Sequence, residues 1–430
     1  MKRLLIALVV LLSGFASLAC RQSTTAEPVL NLVLSGLQQP SEKVFFRTFV
    51  RLFEAETGIT VELTYALPAD LADAIAAEAA SDVVTDVVMV DTANMKAYLD
   101  RGLMEDVSAY LATLRDRTFT TMFDPYTSRD GARYFMPVSF DVYLTIVNRA
   151  ALPFMPATVE VVRNQEDEVV AIERITWEDY AAWAIAIRDG SGSPHAGVPM
   201  SASGSQLLYP LGGMAVAFGA GFPSIDDPHA AEAWNLLASM AAGGAILPEN
   251  ILSTVNQPTA LLDTGSLWMS FGHMGPVGAA YDADPFAYVL GPAPVASSTG
   301  IAGSIAGAWT FGIVGGAPHP DAARAWLRFI SDPETNYLYC SQLGGVISPI
   351  AEVVGHLGDS NTDRIMAAGI AMVQSDAEIV VLDVSAFVSW TDVKVVYTDL
   401  YRRILTGEPL ATDELAVFED RLDALRVPAD

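Results

Sequence analysis

Residues 131–148 read GARYFMPVSFDVYLTIVN, and the rest of the chain is organised around this stretch. Tyr134 to Val138 is a short apolar run and Tyr143 to Val147 a second, with Ser139, Phe140 and Asp141 between them. Two extended runs with a polar break predict a backbone crossing between two lobes. Pro137 has no N–H and a fixed φ, which suits a strand edge or a crossing better than a central strand. Side chains alternate along an extended chain, so Asp141 and Tyr143 face the same way. A carboxylate and an aromatic ring at a lobe junction suit a polar ligand with an apolar underside, such as a sugar. One buried strand followed by a turn is the competing reading, because short apolar runs are ambiguous.

Upstream, strands alternate with helices. The run VLNLVL at 29–34 reads as a buried strand and opens into a loop, 35–40, that carries Gln38. A helix is predicted over 41–57, stopped by Gly58, with Phe45, Phe49, Leu52 and Phe53 on its inner face. A strand over 59–65, a helix over 70–80 and a buried strand over 86–91 follow. That last strand ends in Asp91, and a helix over 92–101 is closed by Gly102. The alternation implies an α/β layer fold with parallel strands. Ligands in such sheets sit beyond the carboxyl ends of the strands, which brings Gln38 and Asp91 forward. Asp91 is equally suited to cap the helix after it.

Downstream, 158–162 and 169–175 alternate apolar and polar residues around Asn164, as a surface hairpin does. Small polar residues at 201–206, including Gln206, lead into a helix over 207–218. Residues 269–276 read as a strand and a Gly-rich surface turn holding His273 and Met274. An extended run over 303–315 carries Trp309. A strongly amphipathic helix spans 320–332, and two helices, 393–405 and 412–425, end the chain.

The first residues form an export signal: Lys2 and Arg3, an unbroken apolar run from Leu4 to Leu12, then small residues up to Ser17-Leu18-Ala19-Cys20. This ending resembles a bacterial lipobox, in which the cysteine carries lipid, although Ser17 stands where leucine is usual. Residues 21–28 are polar and read as a tether. The second of the two cysteines, Cys340, lies among aromatic residues and reads as a buried structural thiol. Zinc-type Cys/His spacing, a P-loop and a GxGxxG fingerprint are absent from the sequence, so neither metal nor cofactor is expected. The length of 430 residues, with 51% apolar residues, suits two domains or one bilobal one. A net charge of -27 repels nucleic acid and anionic membranes and is read as a solubility feature.

Several segments in order resemble the extracellular solute-binding proteins of ABC importers, in the group that includes maltose-binding protein. Residues 53–61, FEAETGITV, look like that family's helix-to-strand signature. DVVMVD at 86–91, RGLMEDV at 101–107, the Tyr134 to Pro137 crossing with Asn148, and ITWED at 175–179 are similar to the segments that follow it. TGSLWM at 264–269 and HPDAARAWLRFI at 319–330 complete the series. The resemblance implies a two-lobed α/β periplasmic-binding-protein fold of type II, each lobe a mixed sheet flanked by helices. The implied bounds are a signal at 1–19, a lipid-anchored tether at 20–27, one lobe from 28–140 and 296–349, and the other from 141–295 and 350–430. It also implies hinge closure on a solute and delivery to a membrane permease, by a monomer anchored through lipid on Cys20.

Within that resemblance the solute contacts fall on Asp91, Asp141, Tyr143 and Trp309. Trp390, in SAFVSW, resembles an aromatic segment of the family's cleft. Gln38, Gln206, His273 and Met274 are further candidates, although His273-Met274 stands where relatives carry Pro-Trp. The hairpin around Asn164 is an apparent insertion. A carbohydrate is the leading solute. A polyamine, a phosphate ester or an iron chelate are alternatives, and a secreted hydrolase is an alternative of another class. Carboxylates in the cleft would favour a polyamine, clustered tyrosines iron, and arginines at helix starts phosphate; neither a tyrosine cluster nor an arginine-rich loop is visible in the sequence. No Ser-His-Asp or His-Cys arrangement is defensible from spacing, which weighs against an enzyme.

Overall fold

A computed structural model describes residues 29–36, 40–191, 207–246, 257–382 and 384–427. Cys20, Gln38 and Gln206 lie outside these described residues, as do the export signal and the tether.

The chain opens with β1 (Val29–Ser35), α1 (Pro40–Thr57), β2 (Thr60–Ala66), α2 (Pro68–Ala79) and β3 (Val87–Asp91). β1 pairs in parallel with both β2 and β3. Gly58, at φ 71°, ends α1 in the left-handed region open to glycine. Phe46, Phe49 and Phe53 of α1 are buried, whereas Leu52, expected on the same face, is 42% exposed. The single helix predicted over 92–101 is instead a 3₁₀ turn, Thr92–Asn94, followed by a short helix, Lys96–Asp100. The Asp91 carboxylate tightens this start, since it accepts hydrogen bonds from the Ala93 N–H at 3.0 Å and from Asn94 Nδ2 at 2.8 Å.

The stretch that organises the sequence forms β4 (Phe135–Asp141) and β5 (Tyr143–Asn148), and these two strands belong to different sheets. Only Val142 separates them. The second sheet continues through β6 (Glu160–Arg163) and β7 (Val169–Arg174), the antiparallel hairpin expected around Asn164. Then come α3 (Trp177–Ser191), α4 (Leu208–Ala217), β8 (Met269–His273), α5 (Met274–Ala283) and β9 (Tyr288–Gly291). Its strand order is β8-β5-β9-β7-β6.

The chain then returns to the first sheet as β10 (Gly303–Ile313). β10 runs antiparallel to β3 and to β4, and Pro137 lies on β4, whose only strand partner among the described residues is β10, so its missing N–H interrupts no second ladder there. The amphipathic α6 (Pro320–Ile330) buries Trp326 against Phe53, Phe311 and Phe329. α7 (Asn361–Gln374) touches both cores, with Ile365 and Met372 in one and Met366 in the other. β11 (Glu378–Val381) pairs with residues 303–306 of β10 and so joins the first sheet, although it falls in the span the sequence assigns to the second lobe. α8 (Trp390–Ile404) then packs in the second core. Cys340 is fully buried, its thiol directed at the Val138 carbonyl at 3.7 Å, and burial pushes its pKa up.

Candidate binding site

Where β4 passes into β5, the two sheets enclose a cavity of about 220 Å³. Strand register builds its wall. Asp91 at the end of β3 lies opposite Trp309 on β10, and Asp141 at the end of β4 lies opposite Gly307. Across the junction, Tyr143 at the start of β5 lies opposite His273 at the end of β8. All six line the cavity, joined by Tyr209 from the first turn of α4. Five of the nine contacts expected from sequence are thereby brought together: Asp91, Asp141, Tyr143, His273 and Trp309.

Each wall residue is held by local chemistry. Trp309 sits where the β10–β4 register shifts, and its indole lies against Gly36, where a Cβ would stand 2.7 Å from the ring. Gly36, at φ 79°, is therefore required twice over, for its backbone and for the ring. The His273 imidazole caps α5: its Nδ1 accepts the Gly275 N–H at 3.2 Å, which puts the proton of the neutral ring on Nε2. Nε2 then faces Asp141 Oδ2 at 2.7 Å. Burial alone would lower the His273 pKa, but the charge and hydrogen bond of Asp141 outweigh it and leave it raised. Burial raises the Asp91 pKa against its hydrogen bonds from Asn94 and Ala93. Asp91 thus plays the capping role its position allowed, while still forming part of the wall.

Tyr143 is only 4% exposed, and burial, with the Asp141 charge added, lifts its pKa well above the usual phenol value. Its backbone N–H donates to Ser304 Oγ at 3.0 Å, which pins the strand junction to β10. Tyr209 is shifted up by burial as well, and feels both Asp91 and Asp141.

Two expected contacts fall elsewhere. Met274 is fully buried, with its thioether against Gly369 of α7, because residues 274–283 form a helix where a surface turn was expected. Trp390 opens α8 beside the Tyr209 hydroxyl and packs on Phe387 at 5.7 Å, outside the cavity wall.

Lys394, one turn further along α8, was not anticipated; its ammonium stands 5.9 Å from the Tyr209 ring centroid. Burial lowers its pKa, partly opposed by Asp91. Its i+4 spacing from Trp390 was the available signal. A larger cavity of about 940 Å³ lies between the β6–β7 hairpin and α7, with a lining that includes Ile172, Ala368 and Ala371. It carries three carboxylates, Glu160, Glu173 and Asp376, and two guanidinium groups, Arg174 and Arg364, but a single aromatic ring, Tyr281.

Residues 48–368 match the family described as bacterial extracellular solute-binding proteins, well over half of the chain. The chain is a member of that family.

Several solved structures share the fold of this solute-binding protein. The cyclic α-maltosyl-1,6-maltose binding protein of Arthrobacter globiformis is 17% identical, with a TM-score of 0.69 over 92% of this chain and 98% of the other. The GacH receptor of Streptomyces glaucescens, solved unliganded and with acarbose, is 16% identical, with a TM-score of 0.68 over 92% and 97%. UgpB of Mycobacterium tuberculosis, in complex with glycerophosphocholine, is 14% identical, with a TM-score of 0.68 over 92% and 98%. At such identities the likeness establishes the two-lobed fold. No curated protein sequence matches the chain. The family places the protein outside the cytoplasm, and among the described residues no helix is long and apolar enough to cross a membrane.

Proposed function

We propose that this solute-binding protein captures a carbohydrate in the β4–β5 cavity and presents it, closed, to the permease of an ABC importer. The observation that carries the reading is the composition of the wall. Three aromatic rings, Tyr143, Tyr209 and Trp309, alternate with two carboxylates, Asp91 and Asp141. Rings supply platforms for the C–H faces of a pyranose and carboxylates accept its hydroxyls. GacH with acarbose and the maltosyl-maltose binder show that this fold accommodates sugars. The neighbouring tyrosines are the feature that favours iron. Burial keeps both phenols protonated, and among the described residues no group of three His, Cys, Asp or Glu side chains is placed to hold a metal.

The two lobes would hinge at 141–143, again between β9 and β10, and after β11. Wall residues come from both sheets, so only a closed form makes every contact, and differential affinity drives closure. Hexoses, oligosaccharides, polyamines and ferric citrate, screened by thermal shift, should yield a sugar that raises the unfolding midpoint and shrinks the radius of gyration in solution scattering. A midpoint raised only by amines or by iron would reject the carbohydrate. An unchanged radius at saturating sugar would reject closure.

Lipid on Cys20 completes the proposal, with the protein acting as a membrane-anchored monomer. Cys20→Ala should release the protein from the membrane fraction. Mass spectrometry of an unmodified mature N-terminus at another residue would exclude the anchor and leave export intact.

A further inference from the structure

The wall of the β4–β5 cavity is acidic and aromatic, and no lysine or arginine stands among the described residues that line it. Its two carboxylates differ in how far they are already matched. Asp91 accepts the Ala93 N–H and the Asn94 amide, and the Lys394 ammonium, which stands outside the lining, offsets part of its charge. Among the described residues, Asp141 has neither a backbone donor on its carboxylate nor a lysine or arginine beside it. Its one partner is His273, whose Nε2 faces Oδ2, so Oδ1 stays open.

His273 does not cancel that charge in the observed geometry. Its Nδ1 accepts the Gly275 N–H, which fixes the neutral ring with its proton on Nε2. Asp141 favours a second proton on the ring, but at Nδ1 that proton would set donor against donor at the start of α5. A second acceptor lies close by. Tyr143 is 4% exposed and lines the cavity, and among the described residues its hydroxyl has no hydrogen-bond partner. The Asp141 charge acts on that phenol, which places the two groups together. The uncommitted groups on this side of the wall are therefore acceptors with one uncompensated negative charge.

We infer that the solute is a basic sugar, one that carries a protonated amine, and that its ammonium is seated between the Asp141 carboxylate and the Tyr143 hydroxyl. An ammonium brings three N–H donors and no acceptor, which suits a carboxylate oxygen and a phenol oxygen side by side. The Trp309 ring on the same wall adds attraction for a cation. Closure over a neutral sugar would dry Asp141 without a counter-charge, which is costly, whereas closure over an ammonium supplies that charge. The whole molecule helps, since a net charge of -27 draws cations towards the cleft at long range. This inference rests on the carbohydrate reading and narrows it.

Calorimetry near pH 7 on the full-length mature protein tests this with matched sugars that differ at one substituent. The pairs are D-glucosamine against D-glucose, D-galactosamine against D-galactose, and 6-amino-6-deoxy-D-glucose against D-glucose. N-acetyl-D-glucosamine keeps the nitrogen without the charge, and putrescine carries the charge without the sugar. We expect an amino sugar to bind at least about tenfold more tightly than its neutral parent, with added salt weakening the amino sugar more than the parent. Asp141→Asn should bring the amine-to-neutral ratio close to one and Asp141→Glu should restore part of it, both with circular dichroism like that of the wild type. The wild-type ratios and their salt dependence decide the question independently of either variant. Neutral or N-acetylated sugars bound as tightly as the amines, or an Asp141→Asn loss equal on both members of a pair, would overturn the ammonium seat while the carbohydrate reading stands. Putrescine bound with no sugar of either kind, or a panel in which nothing binds, would overturn both.

Discussion

Gly307→Trp should abolish solute binding while leaving the fold intact. Gly307 lies in β10 opposite Asp141, on the cavity wall. It is exposed, its φ lies outside the left-handed region, and a Cβ built on it meets nothing within 4 Å. Backbone geometry therefore does not require glycine here, and the space above it is the cavity itself. An indole there would fill most of about 220 Å³. A loss of at least about 100-fold in affinity is expected, ~2.8 kcal/mol. The unfolding midpoint without ligand should move by no more than about 2 °C, since a surface substitution typically changes stability by ~0.5 kcal/mol. Gly36→Ala makes an instructive contrast, because its left-handed φ and the Trp309 ring both oppose a methyl group. Wild-type affinity in Gly307→Trp would place the solute elsewhere, with the cavity of about 940 Å³ beside α7 the next candidate.

Much of the fold was legible because its elements carry a strong period. The buried strands β1 and β3, the amphipathic α6 and the β6–β7 hairpin all fall where apolar spacing places them. Lys394 and Tyr209 were not legible for physical reasons. Tyr209 lies in the apolar run LLYPLGGMAVA, which reads as core, and much of it is core: Leu208, Leu211 and Met214 are fully buried or nearly so. Only the opening of α4 onto the cavity distinguishes its tyrosine from them. Trp390 and Met274 misled in the opposite sense. Trp390 lies in SAFVSW, which resembles an aromatic cleft segment of the family, and His273-Met274 stands where relatives carry Pro-Trp, but Trp390 and Met274 both belong to helix starts whose bodies pack inward. Asp91, Asp141 and His273 were legible because polar residues that end buried strands have few places to go other than a cap or a cleft, and Asp91 and His273 turn out to serve both. β11 was missed as a member of the first sheet because its pairing with β10 joins residues 75 positions apart, Gly303 with Glu378, a non-local contact that no local pattern encodes.

Removing the Asp86 carboxylate should have the largest effect on stability. Asp86 is wholly buried just before β3. It accepts the Asn31 N–H of β1 at 2.7 Å and the His319 N–H at 2.7 Å, and faces His319 Nδ1 at 3.0 Å. His319 stands immediately before α6, so one carboxylate ties β1, β3 and α6 together. This contact also joins two of the segments that carry the family resemblance. The strand DVVMVD and the helix HPDAARAWLRFI are two halves of one buried hydrogen-bonded junction. Asp86→Ala would leave two backbone N–H groups without acceptors and His319 without its partner. Breaking a buried, hydrogen-bonded charge typically costs about 3–5 kcal/mol, and at roughly 2–4 °C per kcal/mol for a lobe-sized unit the midpoint should fall by about 10 °C. Asp86→Asn keeps one acceptor oxygen and puts an NH₂ where the other stood, so about 1–3 kcal/mol is expected. Calorimetry of both variants without solute checks the order: wild type, then Asn, then Ala. An Ala variant within about 2 °C of wild type, less than 1 kcal/mol by the same conversion, would show that water replaces the carboxylate and that the junction is held by apolar packing of Trp326 and Phe53 instead.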